Sequence, residues 1–293
     1  MRKKDYPGGD IAIEQELEPG SNYNRYIVSY KSEGLKINAL LTVPQEEQPQ
    51  EGFPVIIFNH GYIPPEQYRT TERYVAYLDS FAKNGYIVLK PDYRGHGDSE
   101  GNPEGAYFSP AYTTDILNAL SSIKKYEDVN PEKIGMWGHS LGGHITLRSM
   151  VVSKDIKAGV IWGGVVGSYS DMFDRFFRNS PWSPSAKEQQ TRRLTRQRFI
   201  DEYGTPEQNP QFWNSISPNS YLADISGPVQ LHHGLSDETV PWQLSENLYN
   251  SLKSLGKEVE FFNYQNGDHN LSSPNFEEAM ERSISFFDKY LKS

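Results

Sequence analysis

Short apolar runs, rich in β-branched residues, alternate along most of the chain with longer segments whose apolar residues recur at helical spacing. The apolar runs occupy residues 54–60, 86–92, 133–139, 158–163, 228–234 and 259–264. The helical segments lie near residues 70–83, 111–125, 141–152, 241–254 and 275–291. Because strands buried on both faces are continuously apolar, this alternation predicts an α/β fold with a mostly parallel, doubly wound sheet.

A different pattern precedes the first of these runs. From Tyr26 to Val43, apolar and polar residues alternate on both sides of Glu33-Gly34. Alternation with a period of two around a glycine-containing turn is typical of an antiparallel hairpin. We therefore expect this N-terminal hairpin to add antiparallel strands at one edge of the sheet.

One connection is much longer than the others. Residues 167–227 separate two predicted strands, whereas most connections in compact domains have about 4–6 residues. The segment includes an arginine-rich stretch, residues 191–203. We expect its arginines on a solvated helix face, with contact to an anionic substrate as the alternative. The aromatic residues of the segment include Phe173, Phe176, Phe177, Trp182, Phe212 and Trp213. We predict a small helical cap, with its aromatics facing inward, inserted into a single domain of residues 1–293.

The composition narrows the classes of partner. The formal net charge of -9 argues against nucleic acid or an anionic membrane as the main partner. No window approaches the roughly 20 consecutive apolar residues of a membrane span. Residues 1–10 turn to Pro and Gly where a signal peptide would be apolar, so we expect a cytoplasmic protein, or a secreted one whose signal peptide has been removed. The chain has no cysteine, which excludes thiolate chemistry.

Candidate chemistry begins at residues 138–142, Gly-His-Ser-Leu-Gly, which follow a predicted strand and open a predicted helix. This is the G-x-S-x-G pattern of a nucleophile elbow, in the strand-to-helix context that the elbow requires. Glycine on both sides suits a sharp turn in which a Cβ would collide with neighbouring backbone. If Ser140 is the nucleophile, the N–H of Leu141 at the helix N-terminus is an oxyanion donor. The alternative is that Ser140 caps the helix, a common role of serine.

A serine hydroxyl needs a base, and in this kind of fold the order along the chain is serine, acid, histidine. Asp237 follows the apolar run at 228–234, and His269 follows the run at 259–264. Both therefore lie at the carboxyl ends of parallel strands, where such sheets collect their active-site loops. Asp224 competes for the acid role, but it precedes its strand rather than following it.

From about Tyr26 onward the sequence resembles the α/β-hydrolase family. Residues 233–241 (HGLSDETVP) and 267–271 (GDHNL) resemble the acid and histidine loops of its prolyl-oligopeptidase-like branch. Residues 90–101 (KPDYRGHGDSEG) resemble a turn that this branch shares with cinnamoyl and monoacylglycerol esterases. The resemblance favours Asp237 over Glu238, which falls one residue from the family's acid position.

A further likeness concerns the oxyanion site. Residues 58–65 (FNHGYIPP) resemble the His-Gly-X loop of these esterases. The resemblance implies that the backbone N–H of Tyr62 is the second oxyanion donor, beside the N–H of Leu141.

Three residues are expected to line the substrate pocket. Trp162 ends the strand before the predicted cap, while His139 and Val240 neighbour the predicted nucleophile and acid. His232 and His233 are expected to pack or to anchor a loop. A metal site is not expected there, because no spaced set of histidine and carboxylate ligands accompanies them.

These residues predict a serine hydrolase that needs neither a metal nor an organic cofactor. The first expected activity is that of a carboxylesterase acting on small-molecule esters with short to medium acyl or aromatic groups. A peptidase or acylaminoacyl hydrolase is the alternative, although such enzymes often carry a β-propeller, for which 293 residues leave no room. Leu141 also stands where that branch often has Tyr, which favours an esterase. A binding protein without catalysis would be expected to lack Ser140, Asp237 or His269.

Overall fold

The computed structural model describes residues 1–103, 106–177 and 185–292. Its strands are β1 (Ala12–Leu17), β2 (Tyr23–Ser32), β3 (Leu35–Pro44), β4 (Phe53–Asn59), β5 (Ile87–Pro91), β6 (Val129–His139), β7 (Ala158–Trp162), β8 (Val229–Gly234) and β9 (Val259–Tyr264). Within the described residues these nine strands form one sheet, in the order β1-β2-β3-β5-β4-β6-β7-β8-β9. The six strands from β5 to β9 in this order are parallel, which confirms the predicted α/β fold.

The expected N-terminal hairpin is present. Strands β2 and β3 pair antiparallel along their whole length, and β3 continues the sheet by pairing antiparallel with β5. Glu33 and Gly34 form the turn with φ of 51° and 85°. Two successive positive φ values match the right-handed twist of the flanking strands. Strand β1, which the sequence pattern did not predict, adds a largely exposed outer edge.

Helices cover both faces of the sheet. They are α1 (Val75–Lys83), α2 (Ala111–Ile123), α3 (Leu141–Val152), α4 (Tyr169–Asp171), α5 (Ala186–Tyr203), α6 (Pro210–Ile216), α7 (Gln243–Ser254) and α8 (Asn275–Phe287). One apolar layer includes residues of α2, α3 and α7, and the other includes residues of α1 and α8. No helix in the described ranges is long and apolar enough to cross a membrane.

The long connection between β7 and β8 is helical where it is described. Helix α4 continues into a π-helical turn at Met172–Phe176, and α6 is followed by a 3₁₀ helix at Pro218–Asp224. Phe173, Phe177, Phe199 and Trp213 of this connection all have ring contacts with Phe108, which follows β5. The aromatic side chains therefore pack inward on one another and on the body of the domain. Residues 178–184, with Trp182, lie outside the described residues.

Candidate active site

Ser140 occupies the sharp turn between β6 and α3. Its backbone has φ 55° and ψ -115°, a conformation that costs a non-glycine residue about 1–3 kcal/mol. Two contacts hold the turn: the N–H of Ser140 donates to the carbonyl of Trp162 over 3.0 Å, and the N–H of Val165 donates to the carbonyl of Ser140 over 3.1 Å. Although Ser140 stands at the N-cap position of α3, its side chain makes no capping hydrogen bond. The hydroxyl of Ser140 therefore does not cap the helix.

The two glycines of the elbow are required by close backbone contacts. A Cβ on Gly138 would lie 2.3 Å from the carbonyl oxygen of Gly142. A Cβ on Gly142 would lie 1.9 Å from the carbonyl oxygen of Asn59, at the end of β4. Strand β4 thus runs directly against the first turn of α3, and the loop that follows β4 lies next to Ser140, the predicted nucleophile.

Asp237 and His269 form a hydrogen-bonded pair. The Nδ1 of His269 lies 2.8 Å from Oδ2 of Asp237, while Oδ1 accepts the backbone N–H groups of Thr239 and Val240, each over 2.8 Å. The carboxylate side chain is fully buried, and the imidazole is 18% exposed. Because an ionised carboxylate can only accept, the proton of His269 sits on Nδ1 and leaves Nε2 as the basic nitrogen.

His233 also contacts the carboxylate of Asp237. Its Nε2 lies 3.1 Å from Oδ2 of Asp237 and 3.0 Å from the carbonyl of Val240, and its Nδ1 lies 2.7 Å from the hydroxyl of Ser245. Burial acts to raise the pKa of Asp237, but hydrogen bonds from His233 and His269 outweigh it and hold this pKa below its ordinary range. From the sequence, His233 was expected only to pack or to anchor a loop. The sequence feature that could have indicated this contact is the spacing: His233 lies near the end of a buried strand, four residues before Asp237.

The residue that follows β7, Gly163, lies beside the Asp237–His269 pair. Gly163 has a φ of 50°, and a Cβ there would lie 3.2 Å from Nδ1 of His269 and 3.4 Å from Oδ2 of Asp237. The backbone of this position therefore packs against the hydrogen-bonded pair. A larger residue at this position would press directly on that contact.

The predicted oxyanion loop lies against Ser140. A Cβ on Gly61 would lie 3.4 Å from Cβ of Ser140. Tyr62, next along the loop, is half-buried, and the exposed guanidinium of Arg192 on α5 lies 4.1 Å from the centre of its ring. Leu141, the other predicted donor, is the first residue of α3. The long connection therefore reaches the oxyanion loop.

The three predicted pocket residues are all buried. Trp162 has no exposed surface, because its side chain points to the α8 face of the sheet, where its Nε1–H donates to Ser283 over 3.0 Å. The structure thus places it in the core instead of a pocket wall. His139 is 2% exposed and lies beneath His269, with 4.6 Å between ring centres. Val240 is fully buried behind Asp237.

The two competing carboxylates lie apart from the histidine. Asp224 pairs with Arg2 over 2.7 Å at the surface. Glu238 is exposed and directly follows the buried Asp237. Of the three, Asp237 is the carboxylate that contacts His269.

The family model of the prolyl oligopeptidase family matches residues 73–293, about three quarters of the chain. The chain belongs to this family. It is accordingly a serine hydrolase of the α/β-hydrolase type, and the resemblance inferred from the acid and histidine loops is confirmed. The matched range includes the elbow and both of those loops.

Relatives of this prolyl oligopeptidase family member have names of two kinds. The uncharacterized peptidase YtmA of Bacillus subtilis is 29% identical over 255 residues, which cover 86% of this chain and 88% of that protein. The putative esterase YitV of the same organism is 24% identical over 272 residues, covering 86% of this chain and 94% of that protein. Peptidase and esterase names thus both occur among relatives of similar length.

A solved structure supports the fold. The acylaminoacyl peptidase of Pyrococcus horikoshii superposes with a TM-score of 0.74 and 24% sequence identity. The match covers 93% of this chain but only 42% of that one, so this family member spans less than half the length of the peptidase.

Proposed function

We propose that the protein is a carboxylesterase that forms an acyl-enzyme on Ser140. The observation that carries the proposal is the Asp237–His269 pair, with its basic nitrogen free of the carboxylate, in a family whose fold presents the elbow serine at the same sheet edge. Three side chains supply the chemistry, so the reaction as proposed uses neither a metal nor an organic cofactor. A cytoplasmic location stays a prediction.

The proposed reaction has two acyl-transfer steps. His269 takes the proton of Ser140 on Nε2 as the serine oxygen attacks the ester carbonyl, and Asp237 stabilises the imidazolium that results. The N–H groups of Leu141 and Tyr62 hold the oxyanion, each contributing about 3 kcal/mol of transition-state stabilisation. The imidazolium then gives its proton to the leaving alcohol. Water repeats the sequence on the acyl-enzyme.

An apolar cluster beside the elbow supports an apolar acyl or aromatic group. Its buried members are Val165, Met172, Phe176, Val240 and Leu244, with Tyr107 and Phe177 packed against them. Val165 is bonded through its N–H to Ser140, and Val240 through its N–H to Asp237. The cluster therefore adjoins both the proposed nucleophile and the proposed acid. Because Met172 and Phe176 come from the long connection, we propose that residues 167–227 act as a cap over this side of the site.

Peptide hydrolysis is the second candidate, and the 29% identity to a protein named as a peptidase favours it. Both reactions use the same acyl-enzyme. The leaving nitrogen of an amide must be fully protonated before it departs, whereas the leaving oxygen of an ester is a weaker base and departs more easily. The difference therefore lies in relative rates on matched substrates.

The test is a panel of nitrophenyl esters of rising acyl length beside aminoacyl and acylaminoacyl nitroanilides, each turned over by the native protein and by Ser140→Ala. The proposal expects faster turnover of esters than of anilides, and loss of both activities in Ser140→Ala. Faster turnover of anilides than of esters would show that the protein is a peptidase and that the esterase proposal is wrong. Equal rates for native protein and Ser140→Ala would show that Ser140 is not the nucleophile.

A further inference from the structure

Two consecutive residues before α1 have left-handed backbones. Arg73 has a φ of 58° and Tyr74 a φ of 55°, and neither is glycine. Each such residue costs about 1 kcal/mol or more, so the surrounding structure must hold the pair in place. The conformation directs the hydroxyl of Tyr74 between Gly61 of the oxyanion loop and His139, the residue before the nucleophile.

A continuous line of hydrogen bonds passes through this hydroxyl. The N–H of Gly61 donates to the Tyr74 oxygen over 2.9 Å. The Tyr74 oxygen lies 2.7 Å from Nδ1 of His139, and Nε2 of His139 lies 2.9 Å from the backbone carbonyl of His269. Three contacts therefore join the loop of the proposed oxyanion donor to the loop of the proposed base.

The chemistry of the groups fixes the direction of each bond. The carbonyl of His269 can only accept, so Nε2 of His139 carries the proton. In a neutral imidazole Nδ1 is then an acceptor, and the hydroxyl of Tyr74 donates to it. The oxygen of Tyr74 keeps a lone pair for the N–H of Gly61. Every group in the line is satisfied in one arrangement.

The protonation states support that arrangement. Burial, with a smaller effect of the neighbouring His269, lowers the pKa of His139 to about 3, so its imidazole is neutral near neutral pH. Burial also raises the pKa of Tyr74, which keeps its hydroxyl protonated. The line therefore does not change direction over the ordinary working range.

The packing around the line leaves little room for adjustment. A Cβ on Gly61 would lie 2.5 Å from the hydroxyl of Tyr74 and 3.2 Å from Nδ1 of His139. Glycine at position 61 is thus required by the side chains on the line. The ring of Tyr74 packs edge-on against Phe58 of β4, with 5.5 Å between centres.

We propose that Tyr74 and His139 are positioning residues, which fix the spacing between the oxyanion loop at Gly61-Tyr62 and the loop that carries His269. The inference rests on the proposed acyl-transfer function, in which oxyanion and base must lie on opposite sides of the reacting carbonyl at the same moment. Misplacement of a reacting group by about 1 Å can cost roughly a hundredfold in rate, so a short line between the two loops affects kcat more than KM.

The chain offers a matched control. Tyr77 lies one helical turn after Tyr74, and its hydroxyl donates to the carbonyl of Asn270 over 2.9 Å. Tyr77→Phe therefore removes a tyrosine hydroxyl that contacts the same base loop, but not the oxyanion loop. Tyr74→Phe removes the hydroxyl that contacts both.

The experiment compares kcat, KM and the fluorophosphonate labelling rate of Ser140 in these two variants. For Tyr74→Phe we expect kcat and the labelling rate to fall roughly tenfold or more, with KM within about twofold of native. For Tyr77→Phe we expect all three within about twofold. His139→Gln, which keeps a donor toward the carbonyl of His269, should retain more activity than His139→Phe. The double variant of Tyr74→Phe with His139→Phe should be no slower than His139→Phe alone, because both act on one line.

Equal kcat and labelling rates for Tyr74→Phe and Tyr77→Phe would overturn the proposal, as would additive losses in the double variant. Should His139→Phe fail to fold, Tyr74→Phe decides alone, since it removes a single oxygen. Labelling works whether the substrate is an ester or an amide. Absence of labelling in the native protein would contradict both the proposed function and the positioning role. Normal labelling of the native protein together with a fully active Tyr74→Phe would contradict the positioning role only.

Discussion

His233 and His269 contact the same carboxylate oxygen. Their nearest ring nitrogens lie 3.1 Å and 2.8 Å from Oδ2 of Asp237. Only His269 has a second ring nitrogen free for Ser140, because Nδ1 of His233 is bonded to Ser245. The two imidazoles therefore differ in the proposed mechanism, in which His269 is the base and His233 holds the carboxylate that orients it.

Replacement of His233 should lower kcat even in protein that remains folded. Hydrogen bonds to a charged group are worth about 1.5–3 kcal/mol, so we expect His233→Phe to lower kcat roughly 10- to 100-fold. The matched control is His232→Phe, because His232 is equally buried but bonds to Gln230 and Tyr264 instead of Asp237. Steady-state kinetics on folded protein make the comparison, and equal kcat values for the two variants would rule out this role of His233.

Substitution of Gly142 should lower the stability of the fold and abolish labelling of Ser140. A Cβ there would lie 1.9 Å from a backbone oxygen of β4, so Gly142→Ala has to displace either the strand or the elbow. We expect a loss of about 3 kcal/mol or more in the free energy of unfolding, and loss of Ser140 labelling.

A second glycine provides the control for this substitution. Gly256, after α7, has a φ of 67°, but a Cβ there would have no atom of the described residues within 4 Å. Gly256→Ala should therefore cost only about 1 kcal/mol and leave labelling unchanged. Urea unfolding of both variants measures the difference. Gly142 lies in α3 and has no positive φ, so similar losses in the two variants would mean that the contact with β4 does not decide the choice of glycine at position 142.

Stability should fall as the pH falls below about 6.5. Burial lowers the pKa of His96 to about 4 and those of His139 and His232 to about 3, and it also lowers the pKa values of His60 and His144 well below the ordinary value. Unfolded histidines have a pKa of about 6.5. Between these values the unfolded chain binds more protons than the folded one, so each histidine removes roughly 1 kcal/mol of stability per pH unit.

One buried carboxyl opposes this trend. Burial raises the pKa of Asp92 to about 7, so below that pH the folded chain keeps a proton that the unfolded chain releases. Asp92 offsets one of the five histidines, and the net fall remains. Urea unfolding at about pH 7 and about pH 5 measures the slope, and His232→Phe should make it shallower by roughly one proton. A stability that does not change between the two pH values would contradict neutral buried histidines.

The elements that position the site were predictable because their physical causes are local in the sequence. Strands β4 to β8 are mostly buried, so their apolar runs are continuous and recognisable. The elbow needs glycine at positions 138 and 142 because of backbone contacts, and this requirement was readable from the motif. Strand β1 was missed because its side chains are mostly exposed, so no apolar alternation marks it.

The residues that sequence reasoning misplaced depend on side-chain direction. Successive residues of a strand point to opposite faces, and Trp162 at the end of β7 points to the core under α8 rather than to the site. The hydroxyl of Tyr74 contacts Gly61 and His139, which the fold brings together from separate segments. His233 contacts Asp237 and Ser245 through the conformation of the loop that follows β8. Their partners depend on the register of neighbouring strands and loops, which a single sequence does not specify.

The most direct test of the account is to map the site of fluorophosphonate labelling. Native protein, His269→Ala and Ser140→Ala are treated with the reagent, digested and analysed by mass spectrometry. The proposed serine mechanism predicts one label on Ser140 in native protein, labelling slowed by roughly a thousandfold or more in His269→Ala, and no label in Ser140→Ala. A label on another residue, or equal labelling rates with and without His269, would contradict it.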